Sequence, residues 1–290
     1  LKKICGLCRW FHLPLVQPRS LSRGVFKDEA MRRLFVAGNW KMNTTLASAQ
    51  KLAGEVVVGV AGITELVDVA VCPPFPHLLP VSQSLANSRV MLGAQNAHFE
   101  NAGAYTGEVS IDMLVDVGCR WVIIGHSERR QFFGETDSQI NLKVLAAFQR
   151  NVDVIFCVGE ALDDRNSGRT ESVLSSQLKL GLANVRIEQL EKLVIAYEPV
   201  WAIGTGVTAS PEQAEGTHRF IRDWLAARFD RVSADAIRIQ YGGSVKPDNA
   251  KQLLSLPNVD GALVGGASLM SNQFLGIIHA AADLARLSGE

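Results

Sequence analysis

The chain of 290 residues has no excess of charge of either sign: 29 Lys and Arg balance 29 Asp and Glu. A balanced surface gives no electrostatic case for nucleic acid or an acidic membrane as partner. No apolar run approaches the ~20 residues that span a bilayer. Five cysteines at this length do not make a disulfide framework. Cys72, Cys119 and Cys157 lie inside apolar runs and read as reduced core residues. Cys5 and Cys8 form a lone C-x-x-C without a second pair or a nearby histidine pair, which is too little for zinc. No other cluster of metal-ligating residues appears, and no serine or cysteine sits in a nucleophile elbow. A dinucleotide fingerprint is missing as well, since Gly204-x-Gly206 lacks a third glycine and follows a strand broken by Pro199.

What is present is a rhythm. From Leu34 onward, short apolar runs rich in β-branched residues alternate with helical patterns. The runs lie at 34–37, 68–72, 90–94, 121–124, 154–158, 193–197, 237–241 and 259–264. They stay apolar without alternating, as strands do when helices cover a parallel sheet. Between them, Leu174, Leu178 and Leu182 recur every fourth residue. Ile140, Val144, Leu145 and Phe148 follow Asp137 as the expected cap, and Phe220, Ile221, Trp224 and Leu225 make a third stripe. Ser210-Pro211-Glu212-Gln213 supplies a capping serine, a first-turn proline and a capping-box glutamine. Eight βα units in succession predict an α/β fold, a closed (β/α)8 barrel forming one domain over 31–290. Residues 1–30 stand apart as an N-terminal extension, basic, free of acid before Asp28 and interrupted by Pro14 and Pro18. A disordered appendage, a transit-like segment and untranslated upstream sequence are all open for it, since the chain starts with leucine and Met31 precedes the first clean strand.

In such a barrel the chemistry sits at the C-terminal ends of the strands. The sixth run delivers Glu198, and Pro199 stops the strand and holds Glu198 extended. The apolar segment 200–203, followed by Gly204 and Gly206, suits a lid that moves as a unit; an ordinary strand-to-helix connection is the plainer reading. The first run leads to Asn39 and Lys41, where Lys41 is either a functional cation or a solvated surface lysine. The fourth leads into Gly125-His126-Ser127-Glu128-Arg129-Arg130, a histidine at the barrel edge with an acid beside two arginines. Those charges either support the histidine or form a purely structural cluster. The seventh and eighth runs lead to Gly242-Gly243-Ser244 and Gly265-Gly266, where backbone N–H groups can close on an anion. Phosphate sites recur after these two strands of the fold. A carboxylate that takes a proton, a histidine and lysine that polarise a carbonyl, and amides that hold a phosphate favour proton transfer beside a carbonyl on a small phosphorylated substrate.

Six segments in order carry a resemblance: 38–43, 93–96, 125–130, 196–206, 241–244 and 260–269. Through them the chain from about residue 32 to residue 287 resembles the triosephosphate isomerases. The resemblance implies interconversion of dihydroxyacetone phosphate and D-glyceraldehyde 3-phosphate, without metal or cofactor. It implies that Glu198 shuttles the proton and that His126 is the neutral electrophile, its pKa lowered by a helix N-terminus; this same family is the standing example of that tuning. Lys41 would supply positive charge with Asn39 beside it, and Glu128 would orient Lys41 through an ion pair. Ser127 would lie close to the base before the lid closes, and Gly204, Ser244, Gly265 and Gly266 would contact the phosphate. Residues 103–108 resemble the loop through which the family dimerises, with Tyr105 where phenylalanine is more usual, so a homodimer through the loop around Thr106 is expected. Cytoplasmic localisation is expected, with organelle targeting by residues 1–30 as the other reading. Two other functions stay open. Another phosphate-binding barrel isomerase would share the glycine pairs but not Lys41, His126 and Glu198 in these contexts. A non-catalytic barrel acting as a binding protein would have decayed at one of those three.

Overall fold

A computed structural model describes residues 32–203 and 208–287. The extension expected at 1–30, with Cys5 and Cys8, lies outside the described residues, as does Gly204. Among the described residues, eight parallel strands close into a barrel in sequence order. They are β1 (Phe35–Asn39), β2 (Asp68–Cys72), β3 (Met91–Ala94), β4 (Trp121–Ile124), β5 (Asp153–Val158), β6 (Leu193–Tyr197), β7 (Arg238–Tyr241) and β8 (Gly261–Val264). β1 closes the ring by pairing with both β2 and β8, at Val36↔Val69 and Val36↔Ala262. The expected (β/α)8 architecture is therefore the one the chain adopts, with helices between successive strands.

The unbroken apolar runs are explained by two packed faces. Val36, Val69, Val122, Val154 and Ile195 point outward into the layer shared with the helices. Their neighbours Phe35, Ala70, Ile123, Ile155 and Ala196 point into the barrel. The inward residues are graded in size along the axis. Phe35 and Trp121, ring centroids 4.7 Å apart, fill the end where the strands begin, and the Arg238 guanidinium lies 4.9 Å from the Phe35 ring. Toward the strand ends Ala37, Cys72, Cys157 and Ala196 are small, and Leu263, level with Ala37, is the larger inward residue that borders the mouth. The small side chains leave depth for a site at the C-terminal mouth. Cys72, Cys119 and Cys157 are free and buried, as their apolar surroundings predict. Burial raises all three thiols, that of Cys119 to about 12, so they stay protonated and inert.

The helical patterns land where the periodicity puts them. Leu174 and Leu178 are buried on the helix Thr170–Gly181, and Ile221 and Leu225 on the helix Pro211–Arg228. The latter starts with the expected box: Gln213 N–H donates to Ser210 Oγ (3.2 Å) and Ser210 N–H to Gln213 Oε1 (2.9 Å). The helix Asp137–Gln149 is capped differently from the sequence expectation. Thr136 is its cap, accepting from Gln139 N–H, and Asp137 is its first residue. The Asp137 carboxylate goes instead to Arg130, 2.5 Å away, which is why it does not turn back on its own helix.

Candidate active site

Glu198 follows β6 directly, and its N–H donates to Val158 O (2.8 Å), which keeps it in register with β5. Two glycines make room for it. A Cβ on Gly159 would fall 1.8 Å from Glu198 O, and one on Gly242 would fall 2.9 Å from Glu198 Cγ. Only residues without side chains allow the ends of β5 and β7 to approach this closely. The carboxylate is buried and fully engaged. Ser127 N–H donates to Oε2 (2.9 Å), Ser127 Oγ to Oε1 (3.3 Å), and His126 Nε2 lies 3.0 Å from Oε1. Burial pushes the Glu198 carboxyl up, but His126, the Ser127 N–H and Lys41 together hold it below the ordinary carboxylate range. It is ionised and able to accept a proton.

His126 caps the helix Ser127–Phe133, and its Nδ1 accepts the Glu128 N–H (3.2 Å). The bonding therefore assigns the single ring proton to Nε2, facing Glu198. Burial lowers the His126 pKa, but Glu198, the hydrogen bond to it and Glu128 outweigh burial and raise it. This direction is opposite to the lowered value implied by the resemblance. The reason is the Glu198 carboxylate 3.0 Å away, which a helix N-terminus alone does not include. The ring is neutral on a separate ground: an imidazolium would aim an Nδ1 proton at the Glu128 N–H, donor against donor.

Lys41 lies two residues past the end of β1 in the left-handed region, at φ 53°. Its N–H donates to Asn39 Oδ1 (3.0 Å) and its carbonyl accepts Gln95 Nε2 (2.8 Å), which also donates to Cys72 O (2.8 Å). The Lys41 ammonium is 2.5 Å from Glu128 Oε1. Its aliphatic chain runs past Gly265, where an added Cβ would lie 3.4 Å from Lys41 Cε. Glu128 pairs with neither neighbouring arginine. Arg129 goes to Glu135 (3.3 Å), and Arg130 to Asp137. Arg130 also ties two strand ends together, donating to Gly125 O (2.8 Å) and Cys157 O (3.2 Å), so its place is structural.

These groups border one cavity of about 330 Å³ at the C-terminal mouth. Asn39, Lys41, His126, Glu198, Ser244, Gly265 and Gly266 all line it. Ser127 and Glu128 stand behind, touching Glu198 and Lys41 respectively. Three neighbours went unread as site residues in the sequence. Lys246 lines the cavity three residues past a glycine pair, close enough to have been found by reading further along. Gln95 follows β3 directly, a strand end that offered only a neutral amide. Glu160 is fully buried and accepts from Tyr197 OH (3.1 Å), Trp201 Nε1 (3.0 Å) and Arg165 (3.0 Å), which anchors the start of the segment after Glu198. Among the described residues no group of three or more His, Cys, Asp or Glu side chains converges as metal ligands would, and no helix is long and apolar enough to cross a membrane.

Comparison with known proteins bears on the whole barrel. The family model described as Triosephosphate isomerase matches residues 34–281. The chain is 54% identical over 248 residues to the triosephosphate isomerase of Carboxydothermus hydrogenoformans, covering 86% of this chain and 98% of that protein. It is 52% identical over 250 residues to that of Rhodopirellula baltica, with 86% and 98% covered. For Chlorobium phaeovibrioides the figures are 49% over 251 residues, with 87% and 100% covered. A match of this extent and identity, over a barrel whose C-terminal mouth gathers these side chains, means that the chain belongs to the triosephosphate isomerase family.

Proposed function

We propose that this chain interconverts dihydroxyacetone phosphate and D-glyceraldehyde 3-phosphate through an enediolate, with Glu198 as base, His126 as electrophile and Lys41 as the positive charge. The observation that carries the assignment is the convergence of His126 Nε2 and the Glu198 carboxylate, 3.0 Å apart, in the cavity that Lys41 also lines. Glu198 takes the proton from the carbon next to the carbonyl. His126 donates its Nε2 hydrogen bond to the carbonyl oxygen, where charge develops. Glu198 then returns the proton to the neighbouring carbon, so substrate and product differ only in where hydrogen sits. Ser244, Gly265 and Gly266 face the same space and suit the phosphate, whose charge the Lys41 ammonium beside Gly265 offsets. Glu198 is bonded to Ser127 in this arrangement, so it has to leave those donors to reach carbon.

The test is isomerisation of glyceraldehyde 3-phosphate coupled to reduction of the dihydroxyacetone phosphate formed, repeated in D2O. Turnover with solvent deuterium entering the carbon-bound position supports the scheme. Turnover without any exchange of that hydrogen in either direction would count against a carboxylate that carries the proton and exchanges it with solvent. We also propose a homodimer through the loop around Thr106. Tyr105 within it is exposed although its ring lies tilted against His98 with centroids 4.4 Å apart, and Met42, next to Lys41, is 94% exposed. We assign the chain to the cytoplasm, in glycolysis and gluconeogenesis, the pathways that this conversion serves.

A further inference from the structure

The loop that carries Lys41 holds a second residue with positive φ. Thr44 sits at φ 79°, which a β-branched side chain avoids. Such a conformation persists only where neighbours over-determine it. Asn43 contributes one restraint, its Nδ2 donating to Trp40 O (2.7 Å). On the far side, Thr45 is committed as the cap of the helix Leu46–Gly59, with Ser48 bonded to both its side chain and its N–H. The Thr44 hydroxyl itself meets His77 Nδ1 at 3.1 Å. His77 closes a short 3-10 turn, Phe75–His77, just past β2, so the contact ties the β1 loop to the β2 loop.

We propose that His77 is a positioning residue for Lys41: its contact with Thr44 holds the strained turn that aims the ammonium into the cavity. The inference rests on the reading of Lys41 given above. Without the His77 contact, Thr44 relaxes toward negative φ, and the backbone between Trp40 and Thr45 has to redistribute the change. Lys41 is the residue in that stretch already at positive φ, so it absorbs the change most directly. An ammonium displaced by about 1 Å costs on the order of 10²-fold in rate, and a partial displacement costs less.

The experiment is a double-mutant cycle on the full chain between His77→Ala and Thr44→Gly, read as kcat, KM and inhibition by inorganic phosphate. His77→Ala is expected to lower kcat/KM about tenfold, with KM and the phosphate inhibition constant rising together, as loss of a well-placed cation requires. Thr44→Gly accepts positive φ without strain, so adding His77→Ala to it is expected to change kcat/KM less than twofold. His77→Asn puts a polar atom where Nδ1 stood and restores activity; His77→Gln puts it one bond further and does not. That pair serves also if His77→Ala fails to fold. The proposal is overturned if His77→Ala keeps the wild-type KM and phosphate inhibition, if the double variant falls as far as His77→Ala alone, or if the Asn and Gln variants behave alike. Lys41→Met is measured beside them. Wild-type activity there refutes the reading of Lys41 itself, whereas an impaired Lys41→Met with a fully active His77→Ala refutes only the role of His77.

Discussion

Replacing Gly159 by alanine tests how tightly the base is held. The added Cβ would stand 1.8 Å from the Glu198 carbonyl oxygen and 2.8 Å from its carbonyl carbon. Both are backbone atoms, so no rotamer change relieves the clash. Ordinary contact begins near 3.4 Å, so the two strand ends must separate by about 1.6 Å (3.4 − 1.8). The Glu198 N–H bond to Val158 O, at 2.8 Å, lies in the path of that movement. Overpacking of this kind costs about 1–3 kcal/mol in stability. The greater effect falls on the chemistry, since a base misplaced by about 1 Å loses on the order of 10²-fold in rate. We expect Gly159→Ala to fold, to unfold at lower urea, and to lose about 10²-fold in kcat with a smaller change in KM. The coupled isomerase assay gives kcat, and circular dichroism across a urea series gives stability. A Gly159→Ala protein with wild-type kcat would refute the view that the close approach of β5 and β6 sets the position of Glu198.

Four other outcomes are expected. Glu198→Asp retracts the carboxylate by roughly one C–C bond and should cost on the order of 10²-fold in kcat with unchanged far-UV circular dichroism; full activity would remove Glu198 as base. Lys41→Met should fold, because Lys41 is only half-buried, and should raise KM and lower kcat together; unchanged kinetics would make Lys41 a bystander. His218 is fully buried, and burial pushes it down to about 3 from an ordinary 6.5. The unfolded chain takes up this proton below pH 6.5 and the folded chain does not until about 3, so stability falls with pH through that window by up to ~1.4 kcal/mol per unit; urea midpoints at pH 7 and 5.5 should show the loss, and His218→Phe should flatten it. Thr106→Arg would bury an unpaired charge in the proposed dimer contact and should shift sedimentation toward monomer with parallel loss of activity; a wild-type protein that sediments as a fully active monomer would dismiss the dimer.

The strands were legible because each is buried on both faces, and burial on two faces leaves a continuous apolar signature. The strand-end residues were legible for the same reason: once β1, β4 and β6 are placed, Lys41, His126 and Glu198 fall at the same mouth. Partnership among charges was not. Arg129 and Arg130 adjoin Glu128 in the chain, yet they turn to Glu135 and Asp137, while Glu128 reaches Lys41, 87 residues away. The cap at Thr136 was misplaced by one residue because Asp137 is an equally good cap in isolation and only the presence of Arg130 draws it elsewhere. His126 shows the limit most clearly. Its pKa depends on a carboxylate from a different strand at 3.0 Å, a distance no local pattern encodes. Gln95 escaped notice because it works on the backbone carbonyls of Lys41 and Cys72, and Glu160 because its partners Tyr197 and Trp201 come from the neighbouring strand β6 and the segment after it, 37 and 41 residues away.

The grading of the barrel interior bears on how the protein tolerates change. The aromatic packing of Phe35, Trp121 and Arg238 and the small residues beneath the cavity are close neighbours: a Cβ added at Gly93 would meet both Cys72 Sγ (2.5 Å) and Trp121 Cβ (3.3 Å). Substitutions that share a partner have coupled rather than additive effects. Mutations that tighten or loosen the aromatic packing are therefore expected to be felt at the cavity as well as in melting. Lineages of this chain have to adapt thermal tolerance and catalytic tuning together, and an engineer who combines gains from the two regions has to measure each combination rather than add its parts.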